Sequence, residues 1–197
     1  MTLAVGITGG IGAGKSTVAQ FFQLLEIPVY LADDRAKWLM SFDPTVKDDI
    51  IGLFGEKAYQ HERLDRRFVA SKVFGNQALL NRLNTIVHPA VQQDFSLWLS
   101  KQKSPYALKE AALLFETGSY KRLSSTIHVT ASEELRLSRV LKRDPERTKE
   151  EIAGIMGKQW PEKEKIALAS YVIDNESQLL IPQILAIDKQ LRIGLSV

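Results

Sequence analysis

The chain has 197 residues, 45% of them apolar and 25% charged, with a formal net charge of +3 and no cysteine. This is enough for one buried core with insertions, and it excludes disulfides, thiolate catalysis and cysteine-based zinc sites. The mild positive balance suits a polyanionic small molecule and falls short of a nucleic-acid footprint, while the missing signal-peptide pattern and the absence of any apolar run near the ~20 residues of a bilayer span predict a soluble cytoplasmic protein without a membrane partner.

Leu3-Ala4-Val5-Gly6-Ile7 reads as a first strand, and the residues after it, Gly9-Gly10-Ile11-Gly12-Ala13-Gly14-Lys15-Ser16, fit Gly-x-x-x-x-Gly-Lys-[Ser/Thr] without a mismatch. Such a loop turns successive backbone N–H groups inward and starts a helix whose positive end faces the same spot, so it is a phosphate-binding P-loop. Gly10, Gly12, Ala13, Gly14, Lys15, Ser16 and Thr17 are therefore candidate ATP-binding residues. Lys15 can reach the β- and γ-phosphates, and Ser16 can ligate a Mg²⁺ that bridges them. A dinucleotide-binding turn does not fit, because Lys15 falls where Gly-x-Gly-x-x-Gly needs its last glycine.

Val18, Phe22 and Leu25 continue at helical spacing as far as Pro28, and Val29-Tyr30-Leu31 is a short second strand. Asp33 follows it, where α/β proteins place ligand groups, and opens a helix through Met40. Pro44 starts another helix closed by Gly55. Three more are expected, over Arg66–Phe74, Gln77–Val87 behind the cap Asn76, and Pro89 to about Gln102 with Trp98 in its core face. These helices form an insertion that would cover an acceptor.

Tyr106–Lys109, ending at Glu110, is the third strand and Thr126–Val129 the fourth. Ser132 caps the next helix, which carries Arg136, Arg139 and Arg143 as one basic stripe; Thr148 to Glu151 forms a capping box. Tyr171-Val172-Ile173 is the fifth strand, and Leu179–Leu191 a closing helix. The alternation predicts an α/β, three-layer P-loop NTPase fold with a five-stranded parallel sheet, a helical substrate-binding insertion and a small lid. The expected divisions are a nucleotide-binding core of residues 1–33, 104–143 and 166–197, an insertion of 34–103 and a lid of 144–165.

Several ordered motifs resemble the bacterial dephospho-CoA kinases over nearly the whole length. Gly6–Thr17, with Thr8 before the double glycine, is similar to that family's P-loop. Ala32-Asp33 resembles the end of its Asp-Ala-Asp motif. Leu64-Asp65-Arg66, Val73-Phe74, Leu83-Asn84 and His88-Pro89 resemble its acceptor-covering helices, and Leu113-Leu114-Phe115-Glu116 its Pro-Leu-Leu-Phe-Glu motif. Arg139, Arg143-Asp144, Gln159 and Asp174-Asn175 match lid and adenine-side positions. Leu31, Ala112 and Ile155 depart from the pattern, the last standing where an arginine often precedes the lid glutamine.

The resemblance implies transfer of a phosphoryl group from ATP, with Mg²⁺, to the ribose 3′-hydroxyl of dephospho-CoA by a monomer or weak homo-oligomer. The expected catalytic residues are Asp33, Lys15 and Arg143; Arg139 and Asn175 would join the ATP site. Thr8, Asp33, Arg66, His88 and Glu116 would contact substrate, and Ser16 and Glu110 the metal. Each has a plainer alternative. Asp33 could cap a helix, Arg143 and Arg139 could be surface charge, Glu110 could balance Lys15, Arg66 could pair with Asp65, His88 could pack at a helix start, and Asn175 could be a turn residue. Trp98 is most simply core, and Trp160 before Pro161 could plug a lid hinge. A kinase for another small acceptor is the competing function. A GTPase switch does not fit, because Asp49-Ile50-Ile51-Gly52 lies in an amphipathic helix pattern and no Asn-Lys-x-Asp occurs.

Overall fold

The computed structural model describes residues 2–193. Along the chain run β1 (Leu3–Gly9), α1 (Lys15–Leu24) and β2 (Val29–Leu31), then α2 (Ala32–Phe42), α3 (Pro44–Phe54), β3 (Tyr59–Gln60), β4 (Arg63–Leu64), α4 (Arg66–Val73) and α5 (Gln77–Leu99). After these come β5 (Tyr106–Glu110), β6 (Ser125–Thr130), α6 (Glu133–Arg143), α7 (Lys149–Met156), α8 (Glu162–Leu168), β7 (Tyr171–Asp174) and α9 (Leu180–Ile193). The chain divides into two compact units: residues through Leu31 together with those from Gln102 onward, and Ala32–Lys101. The division expected after Asp33 thus falls two residues earlier, because helix α2 already begins at Ala32. Segment 144–165 belongs to the first unit, where α7 packs on α6 and α8 on β6.

In the first unit five parallel strands lie in the order β2-β5-β1-β6-β7. Parallel strands connected through helices are covered on both faces, and β1 shows it by burying every residue from Val5 to Gly9. Val5 and Ile7 join Val18, Phe22, Leu108, Ile127, Ile184 and Leu191 in the main core, which α1 and α9 close. On the other face a Cβ at Gly6 would meet Leu123 Cδ1 at 2.6 Å, so that side chain would have to shift to admit one. Phe22 stands edge-on to Tyr106, with centroids 6.4 Å apart. The Tyr106 hydroxyl donates to Asp188 on α9 at 2.7 Å. Burial and that bond raise the phenol's pKa well above its ordinary value.

In the second unit, α2 and α3 pack against α5, and Arg35 of α2 donates twice to Asp94 of α5, at 2.9 and 2.6 Å. Asp43, Asp65 and Asn76 cap α3, α4 and α5 by accepting Val46, Phe68 and Leu79 N–H. Two features differ from the sequence reading. The helices expected on either side of His88-Pro89 are one helix, α5, with Pro89 inside it. Its buried residues Leu83, Val87, Val91 and Phe95 form a four-residue stripe across the proline, so packing along one face outweighs the missing N–H of a single residue. The β3–β4 hairpin was not expected, since its turn uses His61 and Glu62 at φ 49° and 63° where glycine or asparagine usually signals such a turn.

Pro89→Ala should restore a donor for the helix without touching the buried stripe. Urea denaturation is expected to show a stabilisation of about 1–3 kcal/mol with an unchanged m value, and a lowered midpoint would show that the proline is required by the helix.

Candidate active site

β1 ends at Gly9, and the loop turns through Gly12 at φ 80° and Gly14 at φ 93° before α1 begins at Lys15. These left-handed angles are where glycine is needed. Ala13 N–H closes the turn on Gly10 O at 3.0 Å. Gly14 is the N-cap of α1 with no side-chain cap, and the first helical turn carries no acidic residue. The helix therefore presents backbone donors and its positive dipole end without internal compensation, which is an anion site. Lys15 is half-buried, and Ser16 and Thr17 are exposed on the first turn.

The loop is held from outside at nearly every residue. Gln159 Oε1 accepts Ile11 N–H at 2.9 Å, and Asn175 Nδ2 donates to Ala13 O at 2.7 Å. Asn175 is in turn fixed by Arg139, whose Nη2 donates to its carbonyl at 2.9 Å. Arg136, only 7% exposed, lies behind the loop. A methyl group at Gly10 would be 3.0 Å from its guanidinium carbon, and one at Gly12 would be 2.9 Å from its Cα.

The segment after α6 is fastened to this frame by polar bonds. Trp160 N–H donates to Glu116 Oε1 at 3.0 Å. Glu162 at the start of α8 meets buried His128 of β6 at 2.5 Å and Lys165, 3% exposed, at 3.0 Å. Burial alone would raise the Glu162 pKa, but the His128 hydrogen bond and charge, with Lys165, reverse this and hold it at about 2.

The structure brings Gly10, Gly12, Ala13, Gly14, Lys15, Ser16, Thr17, Arg139 and Asn175 together around the loop. Several side chains are engaged differently from their expected roles. Thr8 is 1% exposed, and its hydroxyl donates to Ala112 O at 3.4 Å, so it serves the strand junction in place of an open substrate surface. One Glu116 oxygen anchors Trp160, and one Asn175 N–H is spent on Ala13 rather than on a base. Arg143 is exposed and grips its neighbour Asp144 through Nε and Nη2 at 2.9 and 2.8 Å. Glu110 is the buried last residue of β5, in register with Ile7 and Leu31.

In the second unit, Asp33 is an exposed residue of the first turn of α2, two positions after β2. Arg66 begins α4 and is exposed; the capping bonds of Asp65 go to Phe68 N–H and Gln60, not to Arg66. His88 is exposed in mid-helix, not at a helix start. Sequence reasoning missed the buried position of Arg136, for which the basic stripe was the available signal. It also missed the His128, Glu162 and Lys165 cluster, because His128 stands 34 residues from Glu162 and no local pattern joins them.

Residues 3–180 match the family model described as dephospho-CoA kinase. The chain belongs to the dephospho-CoA kinase family. Among its relatives, the dephospho-CoA kinase of Porphyromonas gingivalis is 35% identical over 191 residues, covering 96% of this chain and 95% of that protein. That of Chlorobium luteolum is 36% identical over 180 residues, covering 87% and 82%. The crystal structure of TT1252 from Thermus thermophilus superposes with a TM-score of 0.86 at 34% identity, covering 96% and 97% of the two chains. A dephospho-CoA kinase from Campylobacter jejuni, at TM-score 0.71, 23% identity and coverage of 98% and 99%, shares the fold. So does a shikimate kinase from Acinetobacter baumannii, at 0.50, 15% identity and 98% and 95%.

For a dephospho-CoA kinase the His128, Glu162 and Lys165 cluster ties the segment after α6 to the sheet in a pH-dependent way. A carboxylate whose folded pKa lies below its unfolded value contributes stability above about pH 4.5, and loses it as pH falls toward about 2. Glu162→Gln should therefore lower the urea midpoint at pH 7, and the gap from the unmodified protein should narrow steadily below pH 4.5. A gap independent of pH would show that the carboxylate's charge is not what stabilises the cluster.

Proposed function

We propose that this protein transfers the γ-phosphoryl group of ATP to the ribose 3′-hydroxyl of dephospho-CoA, giving coenzyme A and ADP. The observation that carries the reading is the uncapped, acid-free start of α1 behind a complete P-loop, in a chain that matches the family from residue 3 to residue 180. In the transfer, a bond forms between the acceptor oxygen and the γ-phosphorus while the bond to the bridging oxygen of ADP breaks. The proton of the hydroxyl passes to the exposed carboxylate of Asp33.

Within this reading the loop amides hold the β-phosphate and Lys15 neutralises charge that builds on the β- and γ-oxygens. Arg143 already binds an oxyanion, the Asp144 carboxylate, in the bidentate geometry it would use on phosphate. Exchanging Asp144 for the nucleotide as segment 144–165 closes would exclude water from competing as acceptor. Arg139 acts by fixing Asn175, and Asn175 supports the loop while keeping its amide oxygen for the adenine side. Arg66 and His88, exposed on the second unit, would contact acceptor phosphate and ribose.

Mg²⁺ suits the donors present. Ser16 and Glu110 offer hard oxygen ligands, and among the described residues no group of three or more His, Asp or Glu could hold a metal by itself. That agrees with an ion held by one or two protein groups plus phosphates. Ser16 and Glu110 would hold it, and it would offset the negative charge that builds on the phosphoryl group during transfer.

The reading is tested with Mg²⁺-ATP and a panel of dephospho-CoA, adenosine, AMP and shikimate, following ADP release. Dephospho-CoA should be the preferred acceptor, and preference for another would replace the reading. Lys15→Ala should abolish detectable turnover and weaken ADP binding. Asp33→Asn should leave ADP affinity within about twofold while turnover falls by about 10²–10⁴, the range for loss of a positioned proton acceptor. Near-normal turnover of Asp33→Asn would remove Asp33 from the mechanism.

A further inference from the structure

The inner face of α6 is basic where an apolar face is the rule: its buried residues are Arg136 and Val140. Arg136 is more than nine-tenths buried, makes no ion pair among the described residues, and its Nε has no hydrogen-bond partner. A buried guanidinium without an anion is costly, and folded proteins rarely keep one unless something else balances it. The group lies against Gly10, while the backbone of the same residue lies against Gly12, so it sits directly behind the anion-binding turn. Two independent observations thus meet at one place: backbone donors at the start of α1 without a cap, and a buried cation without a counter-charge.

We propose that Arg136 is an electrostatic positioning residue for the nucleotide, whose β-phosphate supplies the negative charge that the protein withholds from it. Its backbone and guanidinium keep the Gly10–Gly12 turn in the shape that aims the amides inward. Its charge adds to that of Lys15. The protein carries an unbalanced charge before the nucleotide arrives and is relieved of it afterward, so the residue favours the bound state more than it stabilises the empty one. Arg139 has a different task, because its Nη2 is committed to Asn175. The proposal rests on the phosphoryl-transfer reading, and its test separates the two.

The experiment is calorimetric titration of ADP and of AMP, with Mg²⁺, into the unmodified protein, Arg136→Met and Arg136→Lys, together with urea denaturation of each without nucleotide. Methionine fills much of the same space without charge, and lysine restores charge without the planar fork. Arg136→Met should weaken ADP about tenfold, equivalent to about 1.4 kcal/mol, and AMP by much less. Arg136→Lys should recover part of the loss. The nucleotide-free Arg136→Met protein should be as stable as the unmodified one or more so, since a buried unpaired charge has been removed. If Arg136→Met binds ADP as tightly as the unmodified protein, the proposal fails while the kinase reading stands. It also fails if both variants are destabilised without nucleotide and lose ADP and AMP affinity equally, because Arg136 is then a structural prop. If the unmodified protein itself binds no ADP, the kinase reading fails first.

Discussion

The arrangement of the first unit depends on leaving the start of α1 without a side-chain cap. Helices α3, α4, α5, α6 and α7 each have a side-chain oxygen at the N-cap, and α8, which has no side-chain cap, carries Glu162 and Glu164 in its first turn. Helix α1 has glycine there, and its first turn has no carboxylate. A helix start of this kind keeps its donors for an incoming anion, and its position is one that the surrounding structure forces. The force comes from the central position of β1, buried on both faces and flanked by β5 and β6, which fixes where the loop begins. Gln159, Asn175 and Arg136 then brace the loop from outside.

These braces come from segments that stand far from the loop in sequence. Gln159 lies in the segment after α6, Asn175 after β7 and Arg136 in α6. The geometry of the anion site is therefore a property of the whole unit and not of its eight-residue motif. Thr8 and Glu116 illustrate the same division of labour: residues beside the motif spend their polar atoms on neighbouring backbone, holding the frame rather than facing solvent.

Much of the core and loop was legible in the sequence because local signals agree there. The five strands of the parallel sheet, the glycine turn, the caps at Ser132 and Asn76 and the Thr148 to Glu151 capping box all appear where pattern and cap chemistry point to them. What escaped was set by tertiary contact. Pro89 reads as a boundary, yet the stripe from Leu83 to Phe95 carries the helix through it. His61 and Glu62 make a turn with no glycine to announce it. Arg136 belongs to a stripe that reads as solvated charge, and only the fold places it behind a loop that precedes it by most of the chain.

Tyr106 and α9 have a consequence for how the protein is made. The face of α1 that carries Phe22 is covered by Tyr106 and α9, and Tyr106 is tied by its hydroxyl to Asp188. During synthesis the glycine loop leaves the ribosome before the partners that seal its helix, Tyr106 of β5 and then α9. Pairing that spans most of the sequence is slow to form, so the nascent first strand and helix must wait with apolar surface uncovered. Chaperone engagement during elongation is the vulnerability this topology creates, and it would be relieved only when α9 docks.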